Sequence, residues 1–346
     1  MTTHLITGGG GFIGRHLVAE LIARGDRVRV LDVADPGDGP RDLEFVRGSV
    51  LDPAALRTAL DGVTHAYHLA AVAHLWSPSR DDFDRVNRQG TEALLRAATE
   101  TGVRRVIHCS TEAVLFPKCP DGCVIDETSR PPLSDMPGPY TRSKRLAEDA
   151  ALAAAAAGLD VVIASPSVPI GPGDRNRTPP AAMLSLFLRR GPAFFLPCVL
   201  NFVDVRDVAA GLVLAAERGR SGERYILGGE NWTLRELLDR LKPATGRRIV
   251  GVPIPTAVAM ATAVGAEWAA DRVTGRTPVA TREGVRIARR SSPLDLGKAH
   301  RELGYAPRPV EQALADAVDW LSGETASTRL RRKPLAGRAE AGSVSR

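Results

Sequence analysis

The feature that most narrows the fold is a run of glycines. A short apolar stretch at residues 4–7 passes straight into Thr7-Gly8-Gly9-Gly10-Gly11-Phe12-Ile13-Gly14, and residues 12–24 follow with helical spacing. A Gly-x-x-Gly-x-x-Gly pattern alone is weak in a chain with 33 glycines, where chance supplies one roughly a third of the time. Its place between a first strand and an amphipathic helix gives it meaning. There, glycine lets the backbone turn sharply and approach a pyrophosphate, and the helix start offers free N–H groups and a partial positive charge. A plain glycine-rich turn is the competing reading.

Downstream, short apolar runs alternate with helical patterns. Strands are predicted at 28–31, 43–46, 65–69, 103–109 and 161–164, and helices at 53–60, 84–101 and 140–157. Such alternation specifies βαβ units and a doubly wound parallel α/β sheet of Rossmann type. Beyond residue 166 prolines cluster and the pattern loosens. Helices are predicted at 208–217, 234–242, 255–273 and 310–321, with strands at 225–227 and 248–252. We divide the chain into a dinucleotide-binding part (1–165), a smaller α/β substrate-binding subdomain interleaved with the last sheet strands (166–322), and a disordered basic tail (323–346).

Asp32 ends the second strand, where a carboxylate accepts hydrogen bonds from both ribose hydroxyls of an adenosine and repels a 2′-phosphate. NAD is therefore favoured over NADP, although Arg29 and Arg41 lie near enough in sequence to offer a phosphate a cation. Asp52 precedes Pro53 and reads both as a helix N-cap and as a contact to the adenine.

Tyr140-Thr141-Arg142-Ser143-Lys144 opens an alanine-rich helix, and residues i and i+4 share a helix face. With four tyrosines and five lysines in the chain, a chance Tyr-x-x-x-Lys is expected only about 0.06 times. An ammonium beside a phenol lowers the phenol's pKa and equips it for acid–base work on an alcohol or ketone. An exposed surface pair is the alternative. Ser110 and Thr111 follow the strand at 103–109, at the sheet edge where ligands bind, and either hydroxyl could orient the reacting oxygen. Singly, each is more often a cap.

Charge supplies an exclusion. The chain of 346 residues has 46 Lys+Arg against 40 Asp+Glu, a net charge of +6. From Leu321 onward there are six cations and two acids, so the body is nearly neutral and nucleic-acid binding loses its support. Four cysteines without a Cys-x-x-Cys or a histidine cluster predict free thiols, no metal site and a cytoplasmic location. No apolar stretch is long enough to span a membrane. Residues 255–273 are apolar nearly all round and are expected as a core or dimer helix, with shallow membrane contact as the lesser reading. Phe187, Phe194, Phe195, Leu196, Trp232 and Trp268 could line an apolar substrate site; ordinary core is the plainer role for most.

Together these features resemble the extended short-chain dehydrogenase/reductase family over about residues 3–322. Further matches are His68-Leu69-Ala70-Ala71, Asn87-Arg88-Gln89-Gly90-Thr91 and Gly171-Pro172-Gly173-Asp174. Leu75-Trp76-Ser77-Pro78, Gly138-Pro139-Tyr140 and Arg224-Tyr225-Ile226-Leu227-Gly228-Gly229-Glu230-Asn231 are similar to the hopanoid-associated sugar epimerase and dihydroflavonol-reductase-like subgroup. Ser110-Thr111-Glu112-Ala113-Val114-Leu115 is similar to bacterial relatives of 3β-hydroxysteroid dehydrogenases. The resemblance implies a catalytic triad of Thr111, Tyr140 and Lys144. It also implies a pyrophosphate site at Gly8, Gly11, Phe12, Ile13 and Gly14, a ribose contact at Asp32, and Ala70 lining the dinucleotide. Ala113 replaces the acid of sugar-nucleotide 4,6-dehydratases, which argues against that reaction. Ser165-Pro166 stands where Arg-Pro is common, which weakens the transfer of sugar-nucleotide contacts.

The expected activity is interconversion of a secondary alcohol and a ketone on a terpenoid, sterol or polyketide-like small molecule, by a homodimer. A nucleotide-sugar epimerase that retains its NAD is the alternative within the same chemistry. A non-catalytic dinucleotide-binding scaffold is the alternative outside it.

Overall fold

The computed structural model describes residues 2–35, 43–118, 123–246 and 248–331, with side chains as far as Gly323. β1 (Thr3–Thr7) leads through the glycine run into α1 (Phe12–Ala23), β2 (Arg27–Asp32), β3 (Leu43–Arg47), α2 (Pro53–Leu60) and β4 (His65–His68). A π-helical turn, Phe83–Gln89, then enters α3 (Gly90–Glu100), followed by β5 (Arg105–Cys109), α4 (Pro139–Ala156) and β6 (Val161–Pro166). Gly25 and Gly102 end α1 and α3 at φ 82° and 72°, left-handed positions that side chains avoid.

The remaining chain supplies β7 (Val168–Ile170), α5 (Pro179–Phe187), β8 (Ala193–Phe195), β9 (Val199–Asp204), α6 (Val205–Arg218) and β10 (Arg224–Leu227). After these come β11 (Glu230–Thr233), α7 (Leu234–Thr245), β12 (Gly251–Pro253), α8 (Thr256–Ala269), α9 (Arg282–Ala288) and α10 (Val310–Arg331). The main sheet has seven strands in the order β10-β6-β5-β4-β1-β2-β3, all parallel. The chain leaves β1 for β2 on one side and returns to β4 on the other. That reversal puts the topological switch point, where sheets of this kind bind ligands, beyond the carboxyl ends of β1 and β4, beside the glycine run.

Period-two alternation assigns the core. Ile6, Val30 and Ile107 face α1 and α6 through Leu17, Leu21, Val208 and Leu212. Their neighbours Leu5, Leu31 and Val106 face α2, α3 and α4 through Leu56, Leu94 and Ala151. With both faces covered, the strands read as continuous apolar runs. A second core joins Phe187, Phe195, Phe202, Trp232, Leu237 and Leu314.

Several expectations need correction. The helix expected at 84–101 begins as a wider π-helical turn before becoming α-helical at Gly90. Phe187, Phe195 and Trp232 are core side chains, whereas Phe194 and Trp268 are 60% and 63% exposed. α8 is not a core helix, because it buries only Ala259, Ala263 and Glu267. The expected tail from residue 323 instead starts as helix, since α10 runs to Arg331. Its stripe Val310, Ala313, Leu314, Ala317, Val318 and Leu321 is buried, and once nucleated a helix propagates cheaply through residues that do not break it. Residues 332–346, Arg41 and Cys119 lie outside the described residues. Cys109 and Cys198 are free, but Cys123 is disulfide-bonded. Pairing needs two Cβ atoms about 4 Å apart, which composition does not report.

Candidate active site

The glycine cradle is closely fitted. Gly8 has φ 73°, and a Cβ there would lie 2.8 Å from Ala70 N. A Cβ on Gly14 would lie 2.4 Å from Gly8 O and 2.7 Å from Gly9 Cα. Gly11 N donates to Gly8 O at 3.0 Å to close the turn. Gly11 is also the N-cap of α1, with no side chain capping the helix and no acid in its first turn. The first amides of α1, from Phe12 and Ile13 onward, therefore lack the partner a cap would give and suit a phosphate anion. At the end of β2, Asp32 Oδ2 accepts from Gly10 N at 3.0 Å, holding the carboxylate beside the cradle. A Cβ at Gly10 would meet that oxygen at 3.0 Å, a requirement for glycine that the three-glycine pattern did not single out. A dinucleotide fits these residues.

The floor under Ala70 is a buried hydrogen-bond chain. Ala70 N donates to Thr7 Oγ1 at 3.3 Å, and that hydroxyl donates to His68 Nδ1 at 2.8 Å. Thr91 Oγ1 donates to Asn87 O at 2.6 Å, so it accepts from His68 Nε2–H at 2.9 Å. His68 is thus neutral with its proton on Nε2. Burial, with Lys144 nearby, lowers its pKa to about 3. Asn87 Oδ1 then fixes the loop beyond Ala70 by accepting from Val72 N at 2.7 Å.

This histidine makes folding acid-sensitive. Between pH 6.5 and about 3 the unfolded chain binds a proton that folded His68 refuses, so its contribution erodes as pH falls below 6.5. Glu112, Glu127 and Glu283 act with the opposite sign, because burial raises their carboxyls. A comparison with His68→Gln isolates the histidine. Between pH 7.5 and 5.5 the wild type should lose about 1.4 kcal/mol more stability than the variant in urea melts. Equal losses would contradict a buried neutral His68.

At the carboxyl edge, Thr111 caps a short 3-10 turn, accepting from Ala113 N at 3.3 Å. Its hydroxyl also faces the Tyr140 phenol and lowers that phenol's pKa. Lys144 lies one turn along α4 and is buried, its Nζ donating to Cys109 O at 2.6 Å. The structure thus brings Thr111, Tyr140 and Lys144 together beside the cradle. Ser110 does not join them. Its hydroxyl donates to Glu148 Oε2 at 2.5 Å, and Glu148, fully buried, pairs with Arg224 Nε at 2.7 Å. Strand alternation turns neighbouring side chains to opposite faces, so only one hydroxyl of the pair reaches Tyr140.

Burial pushes the Tyr140 phenol above its ordinary pKa, and Thr111 only partly offsets this. Burial pushes Lys144 down. The expectation that Lys144 lowers the phenol is not met in this arrangement: desolvation dominates the phenol, and the ammonium is engaged by the Cys109 carbonyl. The phenol is held protonated. Asp52 Oδ1 accepts from Ala54 N at 2.9 Å and Ala55 N at 3.3 Å, so it caps α2.

Sequence reasoning missed Glu283. This residue of α9 accepts from Tyr140 N at 3.1 Å, Thr141 N at 2.8 Å and Thr141 Oγ1 at 2.7 Å. It serves as the N-cap acceptor of the helix that carries Tyr140 and Lys144, from 143 residues away in sequence. The only local signal is that α4 opens on Gly138-Pro139, with no capping side chain at Gly138. Among the described residues, Glu112 Oε2, Ser165 Oγ and Ser167 Oγ at this sheet edge are also buried without a protein partner.

A family model described as the NAD dependent epimerase/dehydratase family matches residues 4–228. A Synechocystis sp. protein with the provisional name of a dihydroflavonol 4-reductase is 37% identical over 91% of this chain and 93% of its own length. Sterol demethylase protein B of Methylococcus capsulatus is 33% identical over 92% of this chain and 98% of its own. The crystal structure of Thermus thermophilus UDP-glucose 4-epimerase with NAD superposes with a TM-score of 0.74 at 26% identity, covering 93% of this chain and 99% of that one.

Proposed function

The chain belongs to the NAD dependent epimerase/dehydratase family, and from that premise we propose that it is an NAD-using oxidoreductase interconverting a secondary alcohol and a ketone on a lipophilic small molecule. The observation that carries this reading is the Tyr140 phenol, facing Thr111 and one helical turn from the buried Lys144, at the edge that holds the glycine cradle. Bound NAD supplies the hydride chemistry. Tyr140 exchanges a proton with the substrate oxygen, and Thr111 orients that oxygen. Lys144 would hold the nicotinamide ribose of the bound cofactor. A phenol held protonated suits the direction of ketone reduction.

NAD over NADP is supported by Asp32 and by the fate of Arg29. That guanidinium donates to Ala59 O and Asp61 O at 2.9 and 2.7 Å and pairs with Glu44 at 2.9 Å, so it offers nothing to a 2′-phosphate. A lipophilic substrate is supported by the sterol name of one relative and by Ser165 where sugar-nucleotide enzymes often carry arginine. Expected is oxidation or reduction of hydroxylated lipids or their ketones, with stoichiometric change of added NAD(H) and slower turnover with NADP(H). Purified protein with tightly held NAD, inert toward those lipids but active on nucleotide sugars, would replace this reading with the epimerase one. The likeness to the UDP-glucose 4-epimerase, which shares the fold over nearly its whole length, keeps that second reading in view.

A further inference from the structure

α8 is built inside out. It contains a single charged side chain, Glu267, which is 4% exposed. Glu267 accepts from Arg282 N at 2.8 Å and pairs with its Nε at 2.6 Å. The opposite face, Ala257, Val258, Ala261, Val264, Gly265 and Trp268, is exposed along its whole length and has no charge. Val258, Val264 and Trp268 are 51%, 48% and 63% exposed. A helix on the surface of a water-soluble body normally shows the reverse pattern. Just before it, the β8–β12 pair adds Phe194 and Val250, each 60% exposed, and just after it comes Val273 at 71%.

The rim is basic. Arg272 and Arg276 follow α8, are exposed, and have no ion-pair partner among the described residues. Arg190 and Arg248 flank the β8–β12 pair and are also exposed. The one acid in the 268–281 stretch, Asp271, is already bound by Trp76 Nε1 at 2.8 Å and by Arg80 at 3.3 Å. α8 has 14 residues, or about 21 Å of helix; no helix among the described residues is long and apolar enough to cross a membrane. An uncharged apolar face with a tryptophan and an arginine border fits the headgroup region of a bilayer, with the helix in the plane.

We propose that the exposed face of α8 and its arginine rim dock this protein on an anionic membrane surface. The docked face is one element from the chemistry: α8 packs on α9 through Ala259, Ala263 and Val285, and Glu283 of α9 caps the helix carrying Tyr140. The inference concerns where the protein sits and does not depend on which substrate it takes.

The test is flotation of the full chain with vesicles of phosphatidylcholine alone or mixed with phosphatidylserine. The wild type should float with the mixed vesicles and be released by added salt. Val264→Glu/Trp268→Glu and Arg272→Glu/Arg276→Glu should each lower the partition coefficient about tenfold or more. Both variants should retain NAD binding and the far-ultraviolet circular dichroism of the wild type, since all four side chains are exposed. Absence of wild-type flotation overturns the proposal. Flotation unchanged by the variants overturns it too, because binding would then lie elsewhere in the chain. A wild-type dimer that Val264→Glu/Trp268→Glu splits, in place of vesicle binding, assigns the face to a second copy instead.

Discussion

Tyr140→Phe lowers kcat by about 10²–10⁴-fold, the range that a positioned acid–base group supplies, while NAD binding stays within a few-fold of the wild type. The loss is about 3–5 kcal/mol of barrier. It arises because the ring still fills its place against Phe83, 6.5 Å away edge-to-face, while the proton it exchanges is gone. The substitution removes only the hydroxyl that faces Thr111, so the fold should be little affected. Steady-state kinetics with titration of NAD(H) by fluorescence separates the two effects. Biological activity that survives the substitution would support the non-catalytic scaffold reading.

Gly14→Ala removes dinucleotide binding by a different route. The new Cβ would sit 2.4 Å from Gly8 O and 2.7 Å from Gly9 Cα. Both are backbone atoms of the turn that forms the cradle, so no side chain can swing away to relieve the clash. Displacement of the turn costs about 1–3 kcal/mol, the usual range for overpacking, and it moves the free amides of α1 off the phosphate position. NAD affinity should fall by about tenfold or more for each 1.4 kcal/mol lost in binding, with a lower Tm. Gly265→Ala is the contrast. Nothing lies within 4 Å of its Cβ, and alanine in a helix gains about 1 kcal/mol over glycine, so Tm should hold or rise. Similar NAD affinity for Gly14→Ala and the wild type would mean that the cradle does not hold the dinucleotide.

Much of the fold was legible because its signals are local. The strands at 4–7, 28–31, 43–46 and 161–164 stand within a residue or two of β1, β2, β3 and β6, and the helix at 53–60 coincides with α2. Apolar runs between glycine stops need only near neighbours to be read. The site was legible where its geometry is also local: the glycine cradle at one turn, and Tyr140 with Lys144 at helical spacing. α9 went unread, since its seven residues, Arg282–Ala288, bury only Glu283 and Val285 and give almost no periodic signal.

The division between Ser110 and Thr111 depended on a partner no local rule names. Glu148, 38 residues on, claims the Ser110 hydroxyl, while Thr111 turns to Tyr140. Lys144 likewise binds a strand carbonyl, so burial, not the ammonium, governs the phenol's charge in this arrangement.

What the sequence by itself determined was the parallel α/β sheet, the position of the phosphate cradle above its first strand, and the Tyr140–Lys144 pair on one helix face. Each follows from backbone sterics and repeat spacing within a few residues. Only the tertiary structure decided that Glu283 caps the helix carrying Tyr140, and which side of α8 meets solvent. A glycine-capped helix records a missing acceptor without naming the residue that supplies it. In a helix that is apolar nearly all round, the lone Glu267 would by itself be expected to face water, and only its partner Arg282 accounts for its burial. That choice of face rests on groups outside the helix: Val285 packs against Ala259 and Ala263, and Arg282 binds the one carboxylate on the buried side.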